Sequence, residues 1–334
     1  MKKCMGCMRD YSENSRNCPI CGYSSAQAVE CRVNMPDALE PETILAGRYI
    51  IGRVLSYSDY GIIYIAWDAL LQKRVTVKEY FPVDLAERSG EELVFQSPQK
   101  QRMFETGKQY FELEIRKLNH CQDIPGITEV YRCIQENHTS YLVMEYLEGI
   151  TLQEYLELFP KCRKSVFYLL FPELMKTMLE LQKRGICHGN LLPEHIYITN
   201  IVTEKQTEES VRKLKIKAIG FSEAKSRFYR ETGEEKEEYN SSFTAPELLE
   251  SDKVNEQSDL YALGCIAFWL LTGKEITEKE KRRGIKLSGN MKKYERIVQL
   301  MVTADPKKRP EDLQQLKNMC SKEEQRRFFA GGQE

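Results

Sequence analysis

Four cysteines near the N-terminus have the spacing of a tetrahedral metal site. Cys4 and Cys7 form one CxxC pair, Cys18 and Cys21 form a second, and ten residues separate the two pairs. Each pair can present two thiolates to one ion, and four thiolates complete the coordination of Zn²⁺. Because no ligand position remains open, the pattern predicts a structural zinc in a small ribbon over residues 1–24.

Two other interpretations of these cysteines remain open. They could be unrelated residues of a disordered tail, or a thioredoxin-type redox pair, although no βαβ pattern surrounds them. A segment of about twenty residues with few large apolar side chains cannot bury a core, so a bound metal would supply its folding free energy. The segment has four basic and two acidic residues, with Tyr11 and Tyr23 as its aromatics. This is a weak signature of nucleic-acid binding, which leaves that role open.

A second stretch with chemical potential runs from His188 to Thr199 and reads HGNLLPEHIYIT. It resembles the catalytic loop of protein kinases, which reads His-Arg-Asp, then two residues, Pro-Glu-Asn and an apolar strand. His188, Pro193 and Glu194 fit this frame. The resemblance continues to about residue 325, and the words GRYIIGRVL, IYIAWD and VKEYFP are similar to bacterial serine/threonine kinases.

The resemblance implies three catalytic positions, and none of them holds the family's residue. The catalytic aspartate, which accepts the substrate hydroxyl proton, aligns with Asn190, whose amide has no basic oxygen at neutral pH. The asparagine that holds magnesium aligns with His195. The magnesium-binding aspartate of the Asp-Phe-Gly motif aligns with Gly220, in Gly220-Phe-Ser222. A lone histidine is more often a hydrogen-bonded packing residue than a metal ligand. Because neither magnesium-binding residue of the family is present, we expect weak or no binding of ATP and Mg²⁺.

The resemblance also implies remnants of a nucleotide site. Lys78 matches the strand lysine that binds phosphates, and Glu114 matches its partner on the following helix. The glycine loop corresponds to SYSDYG, which retains only Gly61 of three glycines and reads equally well as an ordinary hairpin turn. The last strand before the hinge places Met144 as gatekeeper, and the backbone of Glu145 to Leu147 would face an adenine.

Two bulky side chains are expected to obstruct that adenine. The family sandwiches the base between an alanine and a leucine, and these positions are Thr76 and Tyr197 here. In contrast, scaffold residues are retained. The resemblance implies that Asp259 caps the backbone of the catalytic loop and that Arg309 pairs with Glu247 of the Ala-Pro-Glu motif.

The elements that would position these residues form two lobes. Three β-rich runs, 48–55, 61–67 and 75–82, predict the sheet of a small lobe, and leucines at helical spacing over 151–159 and 164–184 predict a helical large lobe. The predicted fold is α+β and bilobed like a protein kinase, with a zinc ribbon in front. The predicted domains are the ribbon at residues 1–24, a linker at 25–47, a small lobe at 48–148 and a large lobe at 149–325.

Composition narrows the functional classes. The formal net charge is −1 over 334 residues, so bulk electrostatics favours neither nucleic acid nor an acidic membrane. No apolar run reaches the ~18 residues of a membrane span. We expect a cytoplasmic protein, in which the 11 cysteines should not form disulfides.

Three functions follow from these patterns. The first is a pseudokinase that regulates or scaffolds protein partners without phosphoryl transfer. The second is an active serine/threonine kinase, or a kinase-fold transferase of altered chemistry that uses ATP. The third makes the zinc ribbon the functional part, with the large domain as its platform.

Overall fold

The chain divides into two compact units, seen in a computed structural model that describes residues 1–58, 60–90, 92–201, 208–221, 242–251 and 254–330. The first unit comprises residues 1–120 and 129–147, and the second comprises 121–128 and 148–334. The first unit therefore includes residues 1–47, which the sequence suggested were a separate ribbon and linker. Residues 121–128 join the second unit.

An antiparallel six-stranded sheet forms the centre of the first unit, with strand order β3-β4-β5-β6-β10-β9. The strands are rich in β-branched and aromatic residues, and the central strands β5, β6 and β10 are buried at consecutive positions, so both of their faces are covered. Helix α2 begins after Ser97, whose side chain accepts a hydrogen bond from the backbone N–H of Lys100. The elements are β3 Ile44–Leu45, β4 Tyr49–Ser58, β5 Gly61–Asp68, β6 Lys73–Tyr80, β7 Glu87–Ser89, β8 Glu92–Val94, α2 Pro98–Asn119, β9 Val130–Glu136 and β10 Thr139–Glu145.

The N-terminal residues add a small hairpin and a helix to this unit. Strands β1 Lys2–Lys3 and β2 Asp10–Tyr11 pair with each other, and helix α1 spans Ser25–Asn34. The predicted linker is therefore not wholly extended. Its last part enters the core, since Leu39 and Leu45 are buried against the sheet.

A buried polar network fixes the segment after α1. Glu79 is fully buried, accepts a 2.7 Å hydrogen bond from the Tyr64 hydroxyl, and forms an ion pair with Arg88. Burial raises the pKa of Glu79. Arg88 also donates from its backbone N–H to Asp37 Oδ1 at 2.8 Å and from Nε to the Asp37 carbonyl at 2.7 Å. The Leu39 N–H donates to the Tyr64 hydroxyl at 3.0 Å, so residues 37–39 are bonded to the six-stranded sheet through Tyr64 and to β7 through Arg88.

The second unit is mainly helical and contains one small sheet of order β11-β12-β13. The sequence predicted a single helix over 164–184, but the chain forms two. Pro172 lacks the backbone N–H that a continuous helix would need at this position, so the first helix ends before it. The proline is accommodated in the first turn of the second helix. The elements are β11 Gly149–Thr151, α3 Leu152–Leu158, α4 Arg163–Leu169, α5 Phe171–Gln182, β12 Ile196–Thr199, α6 Glu208–Lys213, β13 Lys215–Ala218, α7 Pro246–Ser251, α8 Glu256–Thr272, α9 Glu278–Arg283, α10 Glu295–Met301, α11 Leu313–Met319 and α12 Lys322–Gln325.

Helix α8 is the most deeply buried helix of the described second unit. Asn255 caps its N-terminus through a reciprocal pair of hydrogen bonds with Ser258, and Gly273 ends it in the left-handed region. The chain continues past the predicted boundary at 325 into a turn of π-helix, Arg326–Ala330, whose Phe328 and Phe329 are buried.

Two further expectations concern a loop and a membrane. The polar sequence of residues 200–213 predicts an extended solvent loop, but Glu208–Lys213 is helical and Val211 is buried, while 202–207 lie outside the described residues. Within the described part of the chain, no helix combines the length and apolar character that crossing a bilayer requires.

Candidate functional site

The four N-terminal cysteines lie together in the first unit. The Sγ atoms of Cys4 and Cys21 are 3.6 Å apart, those of Cys7 and Cys18 are 3.9 Å apart, and all four lie within 4.8 Å of one another. A tetrahedron with Zn–S bonds near 2.3 Å has S–S edges of about 3.8 Å. The cluster could therefore hold a metal ion, and its dimensions and thiolate chemistry fit zinc.

Burial and hydrogen bonds shift the pKa values of three of these thiols, those of Cys4, Cys7 and Cys18, in different directions. Burial raises the pKa of Cys4 to about 12 and also raises that of Cys7. Burial acts in the same direction on Cys18, but hydrogen bonds from the backbone of Cys21 and Ile20 outweigh it and lower the pKa to about 7. At neutral pH, binding a cation would thus displace protons from the first pair.

The loop that resembles a kinase catalytic loop is held by a buried carboxylate. Asp259 on α8 accepts hydrogen bonds from the backbone N–H of His188 at 2.6 Å and of Gly189 at 2.8 Å. This confirms the predicted cap by Asp259. Gly189 has a φ of +76°, which glycine adopts without the steric cost of a side chain. The resemblance to kinases places Gly189 where the family has an arginine, and the residue type itself indicates the left-handed conformation.

His188, the first residue of this loop, is fully buried. Its ring stacks on Phe221 with centroids 4.4 Å apart, and its Nδ1 accepts a 3.3 Å hydrogen bond from the Asn190 N–H. Burial and the neighbouring His195 lower the pKa of His188 to about 3. The imidazole is therefore neutral at physiological pH and serves as packing.

The structure brings the predicted positions His195 and Gly220 into contact. The ladder between β12 and β13 pairs Ile196 with Ala218, which places the two positions side by side. A Cβ built on Gly220 would lie 2.9 Å from His195 Cδ2. His195 Nδ1 lies 2.7 Å from the Asn190 carbonyl oxygen, so Nδ1–H donates to it. The ring thus fills the space that a side chain at position 220 would need.

These three positions do not fit a magnesium–ATP complex. Asn190 offers an amide, Gly220 offers no side chain, and His195 directs Nδ1 to a backbone carbonyl. Magnesium prefers several oxygen ligands. The resemblance to kinases implies an activation segment over residues 223–244. Ser222 and residues 223–241 lie outside the described part of the chain.

Lys78 and Glu114 occupy the elements expected for them. Lys78 is on β6 and Glu114 is on α2. The Lys78 Nζ lies 5.5 Å from the ring centroid of Phe111. Since residues three apart share a helix face, Lys78 approaches the face of α2 that carries Glu114.

The turn between β4 and β5 binds its own backbone. The Ser58 hydroxyl accepts a hydrogen bond from the Gly61 N–H at 3.2 Å and donates to the Gly61 carbonyl at 3.0 Å. A Cβ on Gly61 would lie 2.5 Å from the Glu79 carbonyl oxygen, so the close approach of β6 explains this glycine. Sequence reasoning did not identify the part played by Ser58. Asp59 lies outside the described residues.

The predicted adenine-facing residues lie at the end of β10. Met144 pairs directly with Thr76 of β6, and Thr76 is largely buried. The Glu145 N–H donates to the Glu129 carbonyl at 2.9 Å, and Leu147 follows the end of the strand. Tyr197 belongs to the second unit, where it pairs with Lys217 on β13.

The scaffold pair predicted for the second unit is present. Arg309 is buried and binds both carboxylate oxygens of Glu247, at 2.7 and 3.2 Å. It also donates to the carbonyls of Thr303 and Gln257. The prediction for Arg309 and Glu247 is confirmed.

Comparison with known families decides the assignment. Residues 85–331 match the protein kinase domain family. The chain belongs to the protein kinase family. The kinase fold, with a β-rich small lobe and a helical large lobe, is thus the fold predicted from the sequence.

Several serine/threonine kinases are similar to this kinase-family chain. It is 28% identical to cds1 of Schizosaccharomyces pombe over 48% of this chain and 33% of that protein. It is 26% identical to PrkC of Bacillus subtilis over 69% of this chain and 31% of that protein. It is 24% identical to PknD of Chlamydia caviae over 81% of this chain and 30% of that protein. The chain spans about a third of the length of these curated relatives.

A solved structure supports the same fold. The apo form of PpkA-294 matches with a TM-score of 0.67 and 20% identity, over 85% of this chain and 100% of the other. At this identity the likeness concerns the kinase fold alone.

Proposed function

We propose that this chain is a pseudokinase, a kinase-fold protein that regulates or scaffolds protein partners and transfers no phosphoryl group. The observation that carries the proposal is the contact between His195 and Gly220. In the family these two positions supply the magnesium ligands, and here an imidazole lies against a glycine. Phosphoryl transfer depends on positioning and on charge neutralisation by the metal, so losing both ligands removes its main support.

The position of the general base supports the same proposal. Asn190 cannot accept a proton from a substrate hydroxyl, because its amide is not basic at neutral pH. Its backbone is engaged on both sides, through its N–H to His188 and through its carbonyl to His195. A retained scaffold around this loop, with Asp259 and Arg309 in place, favours a fold that is maintained for binding.

The small lobe supports weak or no nucleotide binding. The N–H of Gly61 is used by Ser58, so it is not available to a phosphate oxygen in this conformation. We propose in addition that Thr76, which replaces a smaller and less polar alanine of the family, leaves less space for an adenine on the small-lobe sheet.

Titration with ATP and Mg²⁺ tests the proposal. We expect no increase in melting temperature at millimolar nucleotide, and no transfer of label from ATP to a generic protein acceptor. A Lys78→Ala variant is the matched control, because a true kinase reaction depends on that lysine. Micromolar affinity together with Lys78-dependent transfer would overturn the proposal.

The second candidate is an active serine/threonine kinase, and two observations favour it. Relatives named as serine/threonine kinases cover 69% and 81% of the chain. Lys78 also approaches the helix that carries Glu114. This candidate predicts metal-dependent turnover in the same experiment.

We also propose that residues 1–24 form a zinc ribbon with Cys4, Cys7, Cys18 and Cys21 as ligands. Zinc would contribute folding free energy, with all four positions filled by thiolates. Pull-down with the full chain and its Cys18→Ser variant tests whether the ribbon captures the partner. If the Cys18→Ser variant no longer recovers the protein partner, the ribbon captures it. If both proteins recover the same partner, the kinase-like domain captures it. Recovery of nucleic acid instead of protein would mean that the partner is a nucleic acid.

A further inference from the structure

The cysteine module, defined as residues 1–24, is bonded to the backbone of β4. The Arg53 N–H donates to the Met5 carbonyl at 2.8 Å. The register between β4 and β5 shifts between Ile51 and Val54, so Gly52 and Arg53 fall outside the regular ladder. At such an irregularity a backbone donor needs another partner, and the module provides it.

Gly52 marks how closely the module approaches the sheet. A Cβ at this position would lie 2.2 Å from Met8 Cε and 2.4 Å from the Met5 carbonyl oxygen. The φ of Gly52 is not in the left-handed region, so no turn explains the glycine. The contact with the module explains it.

Met8 is shaped for this contact at a cost to its own backbone. It follows Cys7 as Gly22 follows Cys21, and both residues are left-handed, with φ of +56° and +75°. A glycine at position 8 would adopt this conformation more easily. Met8 is only 1% exposed, whereas Gly22 is exposed. A methionine after the first CxxC pair therefore provides a buried side chain that packs on Gly52, which a glycine would not.

Lys3 extends the contact to the next strand. Its Nζ lies 3.6 Å from the ring centroid of Trp67 on β5 and 2.9 Å from Asp10 Oδ1. Trp67 pairs with Ile50 of β4, so the module touches both strands near the same place.

We propose that metal binding by the cysteine module braces β4 and β5, so that metal occupancy controls the order of the strand leading to the Ser58–Gly61 turn. The inference rests on the proposed zinc site. Met5 and Met8 flank the ligands Cys4 and Cys7, and the loop between them closes through the Met8 N–H and the Cys4 carbonyl at 2.7 Å. Removing the ion releases the thiolates that fix this loop, and its anchors on Gly52 are then lost.

Hydrogen exchange of the full chain tests the brace. In the zinc-loaded protein, we expect the amides of residues 49–58 to exchange at least about tenfold more slowly than after chelation. Gly52→Ala should bind one zinc yet exchange as fast as the chelated protein, because the new methyl displaces Met8. Zinc-loaded protein with no such protection would overturn the brace. Absence of bound zinc in elemental analysis would instead overturn the zinc site.

A double-mutant cycle excludes a general defect of Gly52→Ala. If the substitution acts only through the module, its effect on melting temperature should disappear in a Cys18→Ser background. Equal effects in both backgrounds would contradict the proposal. Met8→Gly supplies an independent variant, which should keep zinc and its left-handed backbone while losing protection of residues 49–58.

Tryptophan fluorescence provides a direct readout of docking. The sequence has two tryptophans, Trp67 and Trp269, so a Trp269→Phe background isolates Trp67. Lys3→Ala should abolish the change in Trp67 emission on chelation. Lys2→Ala is the matched control, because Lys2 contacts Tyr11 inside the module. The same loss in both variants would overturn the assigned contact.

Discussion

The imidazole of His195 lies where a side chain at Gly220 would have to be, 2.9 Å from the position of its Cβ. Gly220 also has a φ of +73°. The two degenerate magnesium positions are therefore sterically dependent on each other. Restoring an aspartate at position 220 alone would create a clash before it created a ligand.

The first prediction concerns this dependence. Gly220→Ala should destabilise the protein more than Gly185→Ala does, by about 1–3 kcal/mol of overpacking. Gly185 is the matched control, with a φ of +67° and open space around it. Adding His195→Ala should remove the excess. Denaturant unfolding measures all three variants, and an additive double mutant would contradict the contact.

The second prediction compares two arginine–carboxylate pairs. Glu247→Ala should cost about 3–5 kcal/mol, because it leaves the buried Arg309 charge without its partner. Asp123→Ala removes an exposed pair with Arg184 of similar geometry, with both bonds at 2.6 Å. Solvent screens that pair, so its loss should have a far smaller effect on urea unfolding. Equal losses in the free energy of unfolding for the two variants would mean that burial does not determine how much each ion pair stabilises the fold.

The third prediction follows from the pKa of His188. That pKa is about 3 in the fold against 6.5 for the free side chain, so the unfolded chain binds the additional proton between these values. The contribution of the neutral ring to the free energy of unfolding is therefore fully present above pH 6.5. Below pH 6.5, the free energy of unfolding should fall by about 1.4 kcal/mol per pH unit until the pH reaches about 3. His188→Phe keeps a ring on Phe221 and removes the titration. Urea unfolding at pH 6.5 and 5.5 should give a shallower slope for the variant, and parallel slopes would refute the assignment.

The fourth prediction concerns zinc and pH. Cys4 and Cys7 have raised pKa values, so binding releases protons and the affinity should rise by at least about tenfold per pH unit near neutrality. Competition with a chromophoric chelator measures this. Cys18→Ser should abolish tight binding, whereas Cys133→Ser, which changes an exposed cysteine on β9, should not. An affinity independent of pH would count against thiolate ligation.

Sequence patterns predicted the features that depend on short, fixed spacings. The paired CxxC motifs predicted the cluster of four sulfur atoms, and the kinase-like motifs predicted the sheet, α8 and the contacts of Asp259 and Arg309. In each case the residue types and their spacing were sufficient for the prediction. The strands were recovered within a few residues, because their apolar alternation is intrinsic to the segment.

The missed features depend on distant contacts. Gly52 looks like any glycine of a strand, and its reason is Met8, which is 44 positions away. Two prolines and alternating small and polar residues made 25–47 look like a linker, although helix α1 lies within it and leaves Val29 and Val33 exposed. The coupling of His195 to Gly220 could not be read from either residue alone.

The bonds of Asp37 to Arg88 and of Leu39 to Tyr64 have a consequence for chain connectivity. The covalent path from the cysteine module to the sheet runs through α1, Ser25–Asn34, and non-covalent anchors lie before it, at Met5, and after it, at Asp37 and Leu39. If the module is docked as proposed, cleavage within α1 would leave the two fragments associated. The covalent connection through α1 would then not be required to keep the cysteine module on the sheet, and the fold would tolerate an insertion in this helix.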